Sequence, residues 1–213
     1  MMTEPDVALT DYGLALESAV FAFLIYRRGI REWPLRTWFT AFFGSISLAS
    51  FAGGTVHGFF NDEQTAGHAV LWSATLLAIG VTALAAWAIG ADLLFSAKIA
   101  RRVARAAAAE LCVYGVIVLA FTREFWLAVA MYLPATLFLL VALVRRYRRA
   151  HDREIFIGIA GLALTFVGAA LQQAEIPLHH AYFTHNALYH LIQGVALFMI
   201  FYAARFLTGT RTD

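Results

Sequence analysis

Charged side chains are scarce in this chain. Asp, Glu, Lys and Arg make up 14% of its 213 residues, while hydrophobic types make up 61%. A soluble domain of this length needs nearly twice that charge to cover its surface, so a water-soluble globule does not fit. Lysine is almost missing: Lys98 stands alone beside fifteen arginines. With none in the last apolar stretch, a retinal-type Schiff base has no amine to form on there. Cysteine is confined to Cys112, which excludes a disulfide within the chain and reads as a small packing residue. The net charge of +2 is small, and the basic residues lie in short connecting stretches. That leaves no stripe for nucleic acid. The first residues, Met1 to Asp6, are acidic and lack the basic flank of a secretory signal, so the first apolar segment reads as a retained helix. The alanine and arginine bias fits a GC-rich bacterial gene, and the expected location is a bacterial cytoplasmic (inner) membrane.

What the chain has instead is long apolar runs. About 20 such residues cross a hydrocarbon core of about 30 Å. Seven segments qualify, at 8–29, 37–60, 66–95, 102–121, 125–146, 153–173 and 185–207, joined by short connections. The predicted fold is all-α: one polytopic domain of seven transmembrane helices, with membrane lipids as neighbours and room for a homo-oligomer. Basic residues alternate with the connections. Arg27, Arg28, Arg31 and Arg36 follow span one. Lys98, Arg101, Arg102 and Arg105 follow span three. Arg145, Arg146, Arg148, Arg149 and Arg153 follow span five, and Arg205 and Arg211 end the chain. Only Arg123 falls on the opposite side, so the positive-inside rule predicts the N-terminus outside and the C-terminus in the cytoplasm. Trp33, Trp72 and Trp126 lie near span ends, where indole favours the interface. Pro134 removes one helix hydrogen bond from span five and should bend it. Gly158, Gly161, Thr165 and Gly168 give span six a narrow face for close helix packing.

Six of the seven histidines fall on the outer side: His57, His68, His179, His180, His185 and His190, with only His151 opposite. Imidazole is expensive in hydrocarbon and binds metals and protons well, so clustering at one depth points to a site. In span seven, Asn186, His190 and Gln193 recur at i, i+4 and i+7 and share one helical face. His185 is about 140° around that helix from His190, and joins it at one ion only if it precedes the helix proper. In span two, Ser50 and His57 share a face with Gly53 between them. The turn Asn61-Asp62-Glu63-Gln64 is polar and acidic, and His68 opens span three near Trp72 and Thr75. Asp11 and Glu17 of span one and Glu175 after span six approach the same layer. A buried carboxylate needs a cation, a histidine or a proton. Glu110 and Asp92 belong nearer the cytoplasmic half, where loop arginines are the expected partners of Glu110. His179 and His180 follow Pro177 in a loop and read as solvated.

Three imidazoles and a water form a common catalytic zinc set. His57, His68 and His190 offer that set from three helices, with Asp62, Glu63 or Glu175 as general base or orienting group. Asp11, Glu17, Ser50, His185, Asn186 and Gln193 are further ligands or supports. The bland alternative is three interfacial histidines bonded to nearby carboxylates or to water.

The seven-span plan with the N-terminus outside, His57 ending span two and His190 early in span seven resembles the CREST superfamily of membrane hydrolases. That group includes the alkaline ceramidases and the progestin and adipoQ receptors. Its pattern has a serine four residues before a helix-two histidine, an aspartate in helix three and a His-x-x-x-His pair in helix seven. Here Gly53 stands at the serine position, His68 at the aspartate's, and Asn186 at the first histidine of the pair. The exchange keeps three ligands by moving one between helices. The resemblance implies zinc and hydrolysis of a lipid or lipid-like amide or ester. Thr184 to Gln193, with Thr10-Asp11, also resembles an uncharacterised bacterial seven-helix membrane family.

Two other functions compete. The same histidines and carboxylates can serve a non-enzymatic sensor or a proton or ion transporter. A haem-binding electron carrier with histidine ligands is the third, although the imidazoles lie in a single layer.

Overall fold

The computed structural model describes residues 2–27, 33–179 and 182–209. Arg28, Arg31, His180 and Arg211, the last residues of the first predicted span, and the side chain of Trp33 lie outside them. Seven helices follow one another: α1 (Pro5–Tyr26), α2 (Trp33–Phe59), α3 (Ala66–Leu94), α4 (Ala97–Ala120), α5 (Phe125–Ala150), α6 (Arg153–Gln173) and α7 (His185–Thr208). All are long and apolar enough to cross a membrane.

The helix limits have local causes. α1 begins three residues before the predicted span, because Pro5 suits the first turn, where its missing N–H costs nothing. Thr65 caps α3 by accepting from the His68 amide, and Thr184 caps α7 by accepting from the Ala187 amide. α4 and α5 carry their arginines on an extra turn of helix beyond the apolar run, so α4 starts at Ala97 and α5 reaches Ala150. α5 continues unbroken through Pro134 and stops at His151, whose left-handed conformation ends the helix.

Packing orders the helices into a ring. α1 lies between α2 and α7, α3 between α2 and α5, and α6 between α5 and α7. α4 stands outside this ring of six and rests on α3. Lipid tails are as apolar as leucine, so close packing rather than water exclusion must hold such helices together. The small-residue face of span six performs that task. A Cβ built on Gly161 would stand 2.7 Å from the Ala196 carbonyl oxygen, and one on Gly158 2.5 Å from the Ala203 Cβ. α6 and α7 therefore touch backbone to backbone.

Inside the ring, Phe21 of α1 stacks on Phe201 of α7 with ring centres 4.2 Å apart, and Phe43 of α2 meets Phe21 edge-on at 5.5 Å. Phe42 packs edge-on to Phe43, and all four rings are buried. Each such pair adds about 1 kcal/mol beyond its buried area. All three helices bring their phenylalanine to a depth of about 24 Å from the end that carries the N-terminus, so the four rings form one buried layer there. Large apolar side chains such as Leu16, Val113, Phe121 and Phe198 face outward, as lipid contact requires.

Candidate functional site

One end of the bundle gathers the chain's N-terminus, the C-terminal end of α2 and the N-terminal ends of α3 and α7. The segment before α1 straps them together. The Thr3 amide donates to the Gly58 carbonyl and the Glu4 amide to the His57 carbonyl. The Glu4 carboxylate pairs with His57 Nδ1 at 2.7 Å and accepts from Asn61. Two residues on, Asp6 accepts from both the amide (2.9 Å) and the hydroxyl (2.8 Å) of Thr184, and so fixes the first turn of α7 to α1.

One turn below that anchor lies the most buried ionisable pair of this end. Asp11 of α1 places Oδ1 3.4 Å from His190 Nε2 of α7, and their side chains are only 7% and 13% exposed. Three small residues make the room. Gly54 is where α2 passes closest, since a Cβ there would lie 2.8 Å from that of Asp11. Gly53 borders the Asp11 carboxylate, and a Cβ built on it would also touch Thr75 of α3. On its other ring nitrogen, His190 Nδ1 meets Thr10 Oγ1 at 3.1 Å.

Hydrogen-bond roles set the proton count. The Thr10 hydroxyl has one proton and two backbone acceptors nearby, Asp6 at 2.8 Å and Val7 at 3.0 Å. With that proton on either carbonyl, its oxygen accepts from His190 Nδ1–H. A neutral imidazole so arranged turns a lone pair from Nε2 toward Asp11. Two lone-pair atoms face each other unredeemed unless one more proton is present, on the carboxyl or on the ring.

Two polar side chains continue inward from it. Ser18 is one heptad below Asp11 on α1, and Gln193 three residues below His190 on α7; both are buried. Ser18 Oγ and Gln193 Oε1 find no hydrogen-bond partner among the described residues. Buried polar atoms without protein partners mark places where water or a hydrated ion fits. Below them lies the buried phenylalanine cluster. Beside the pair, a groove of about 280 Å³ opens between α1 and α7. Thr10, Gly13, Glu17, His190 and Gly194 line it, and Glu17 Oε2 lies against Gly194, where a Cβ would approach to 3.0 Å.

The other residues expected in the site have separate tasks. His68 donates from Nδ1 to the Phe60 carbonyl at 2.8 Å and stacks loosely on Trp72. Asp62 forms its own turn, accepting from the Gln64 amide, while Glu63 is exposed. Glu175 is exposed too, in a left-handed conformation beyond α6. Asn186 accepts from Gln172 and ties α7 to α6. Ser50 is buried in α2. His185 is the first residue of α7 rather than part of the preceding loop, so the condition for its sharing an ion with His190 is not met. His179 pairs with Phe183 in a short antiparallel bridge.

In this arrangement the three candidate zinc histidines have separate partners. His57 turns to Glu4, His68 to a backbone carbonyl and His190 to Thr10 and Asp11. Among the described residues, no three His, Cys, Asp or Glu side chains are grouped to hold a metal ion. Sequence reasoning placed Asp11 and His190 at the right depth without pairing them, and it missed Glu4 and Asp6. An acidic residue on either side of the first helical residue, Pro5, was the available signal.

Comparison with known proteins gives one match. The model of a family of unknown function (DUF6962) covers residues 7–208. No curated protein and no solved structure matches.

Proposed function

Because the chain belongs to that family, whose name carries no activity, its chemistry has to be read from the site, and we propose a non-enzymatic, proton-responsive membrane sensor. The Asp11–His190 pair is its proton-binding element. The carrying observation is a carboxylate and an imidazole 3.4 Å apart, both largely out of solvent, with Thr10 fixing the ring's other nitrogen. Ionisable groups inside a membrane bundle are costly and mark ion or proton sites. The unpartnered Ser18 and Gln193 support a short water-filled extension, and the phenylalanine cluster makes access one-sided. With the N-terminal end outside, as the basic residues favour, the pair reads the external pH, and the host is a bacterial inner membrane.

Loss or gain of the shared proton changes what holds α1 against α7. Without it, and with the ring hydrogen on Nδ1, an ionised carboxylate faces a lone pair and the two helices repel at that point. With it, a hydrogen bond joins them. This contact is the two-state element that a sensor needs.

The test uses purified protein in lipid vesicles, with and without a chelator. Hydrogen exchange in α1 and α7 is followed across roughly pH 5 to 8. The expected result is a pH-dependent change in both helices that survives chelation and is abolished by Asp11→Asn and by His190→Gln. A wild-type signal that is absent, or unchanged in both variants, overturns the proposal. Stoichiometric zinc that disappears with His57→Ala would restore the hydrolase reading instead.

A further inference from the structure

α4 is the helix that the ring leaves out. Ala100, Ala107 and Tyr114, spaced by seven, are buried against α3, and the opposite face is bare. Glu110 is exposed on the flank between the two faces. Glu110 lies ten residues before the helix end at Ala120, about 15 Å along the axis, which is half of a core about 30 Å thick. A carboxylate exposed to lipid at mid-depth is among the least favourable placements in a membrane protein. Glu110 has neither a hydrogen bond nor an ion pair among the described residues. The loop arginines expected to satisfy it do not reach it.

The register of the exposed residues supplies the missing partner. Ala106, Ala109, Val113, Val116 and Ala120 alternate by three and four, which is the core spacing of two helices wound in a left-handed coil. Alanine and valine there let two backbones come close. Counting from this seam, Arg105 occupies the flanking position just before Ala106, and Glu110 the one just after Ala109. In a parallel pair, a residue at the first of these positions meets the residue five further on in the opposite helix. Arg105 of each copy therefore reaches Glu110 of the other, twice by symmetry. Copies of one chain insert in the same orientation, so a twofold axis along the membrane normal makes their α4 helices parallel.

We propose that α4 is the seam of a homodimer, in which its alanine and valine stripe packs on that of a second copy and two reciprocal Arg105–Glu110 pairs neutralise the buried charge. A different protein at this face would need its own cation at mid-depth. A second copy brings that cation at the required register.

The experiment is cysteine cross-linking in native membranes, in a Cys112→Ala background. Single cysteines placed along residues 106–120 should cross-link at Ala106, Ala109, Val113 and Val116 and fail at Ala107 and Tyr114. With Ala109→Cys as reporter, Arg105→Glu and Glu110→Arg should each cut the dimer fraction about tenfold. The double exchange should restore it, which separates lost pairing from lost folding. Absence of dimer at every position, cross-linking without this periodicity, a product containing another protein, or a double exchange that rescues nothing would overturn the proposal.

Discussion

At the scale of single residues, glycines decide where charge can be buried. Gly54 brings α2 against Asp11, and a methyl group there would lie 2.8 Å from the Asp11 Cβ and 3.2 Å from the Ala8 carbonyl oxygen. Gly54→Ala is expected to lower stability by about 1–3 kcal/mol, the usual effect of overfilling a packed contact. Gly13, two positions beyond Asp11, has nothing within 4 Å of a built Cβ. Gly13→Ala should raise stability by about 0.5–1 kcal/mol, the helix preference of alanine over glycine. Thermal unfolding of both variants in one detergent checks the contrast, and equal effects would contradict the close approach. The sequence made Asp11 and His190 visible because polar residues stand out in apolar helices. Their pairing was not visible, because the partners are 179 positions apart and nothing local links them.

At the scale of elements, the strap before α1 is the least expected feature. Residues 3–6 bind the end of α2 through Gly58, His57 and Asn61, and the start of α7 through Thr184. Read alone, this segment was only an acidic beginning, since a strap is defined by what it crosses. The Glu4–His57 pair is part-exposed, with side chains 37% and 26% accessible, so its own contribution is modest, up to about 1 kcal/mol. Glu4→Ala should therefore leave global unfolding nearly unchanged. The amides of Thr3 and Glu4 should exchange faster by about fivefold, because the local anchor weakens. Unaltered exchange at those two amides would show that the backbone bonds alone hold the strap. Helix packing was partly legible at this scale. The small-residue face of span six was read from its spacing, and it is where α6 meets α7. The exclusion of α4 from the ring was not, because hydropathy reports that a helix tolerates lipid, not which helices it neighbours.

At the scale of the whole molecule, charge distribution divides the bundle into two unlike ends. Arg27, Arg36, Lys98, Arg101, Arg102, Arg105, Arg145 and Arg205 belong to the end opposite the strap. Arg123 belongs to the strap's end, where it donates to Ser73 while its carbonyl accepts from Trp72. Compartment-specific reporters fused to the two termini should give an external N-terminus and an internal C-terminus. Both termini on one side would contradict seven crossings, and an inverted pair would reverse the direction of the proposed sensor. The number of crossings and the asymmetry of charge were open to reading because both follow from bulk properties of segments. The chemistry was not, since it depends on which side chains of distant helices meet.

The depth of the Asp11–His190 contact has an electrical consequence. Asp11 is six residues into α1, about 9 Å below the strapped end and above the phenylalanine cluster. In the proposed orientation, a proton travelling there from outside would cross nearly a third of the insulating layer. A full crossing is worth about 2.3 kcal/mol per 100 mV, so a third is worth roughly 0.7 kcal/mol, or about a threefold change in occupancy. In that proposal the inside-negative voltage of an energised cell favours loading and its collapse favours release, so the same contact would report acidity and voltage together.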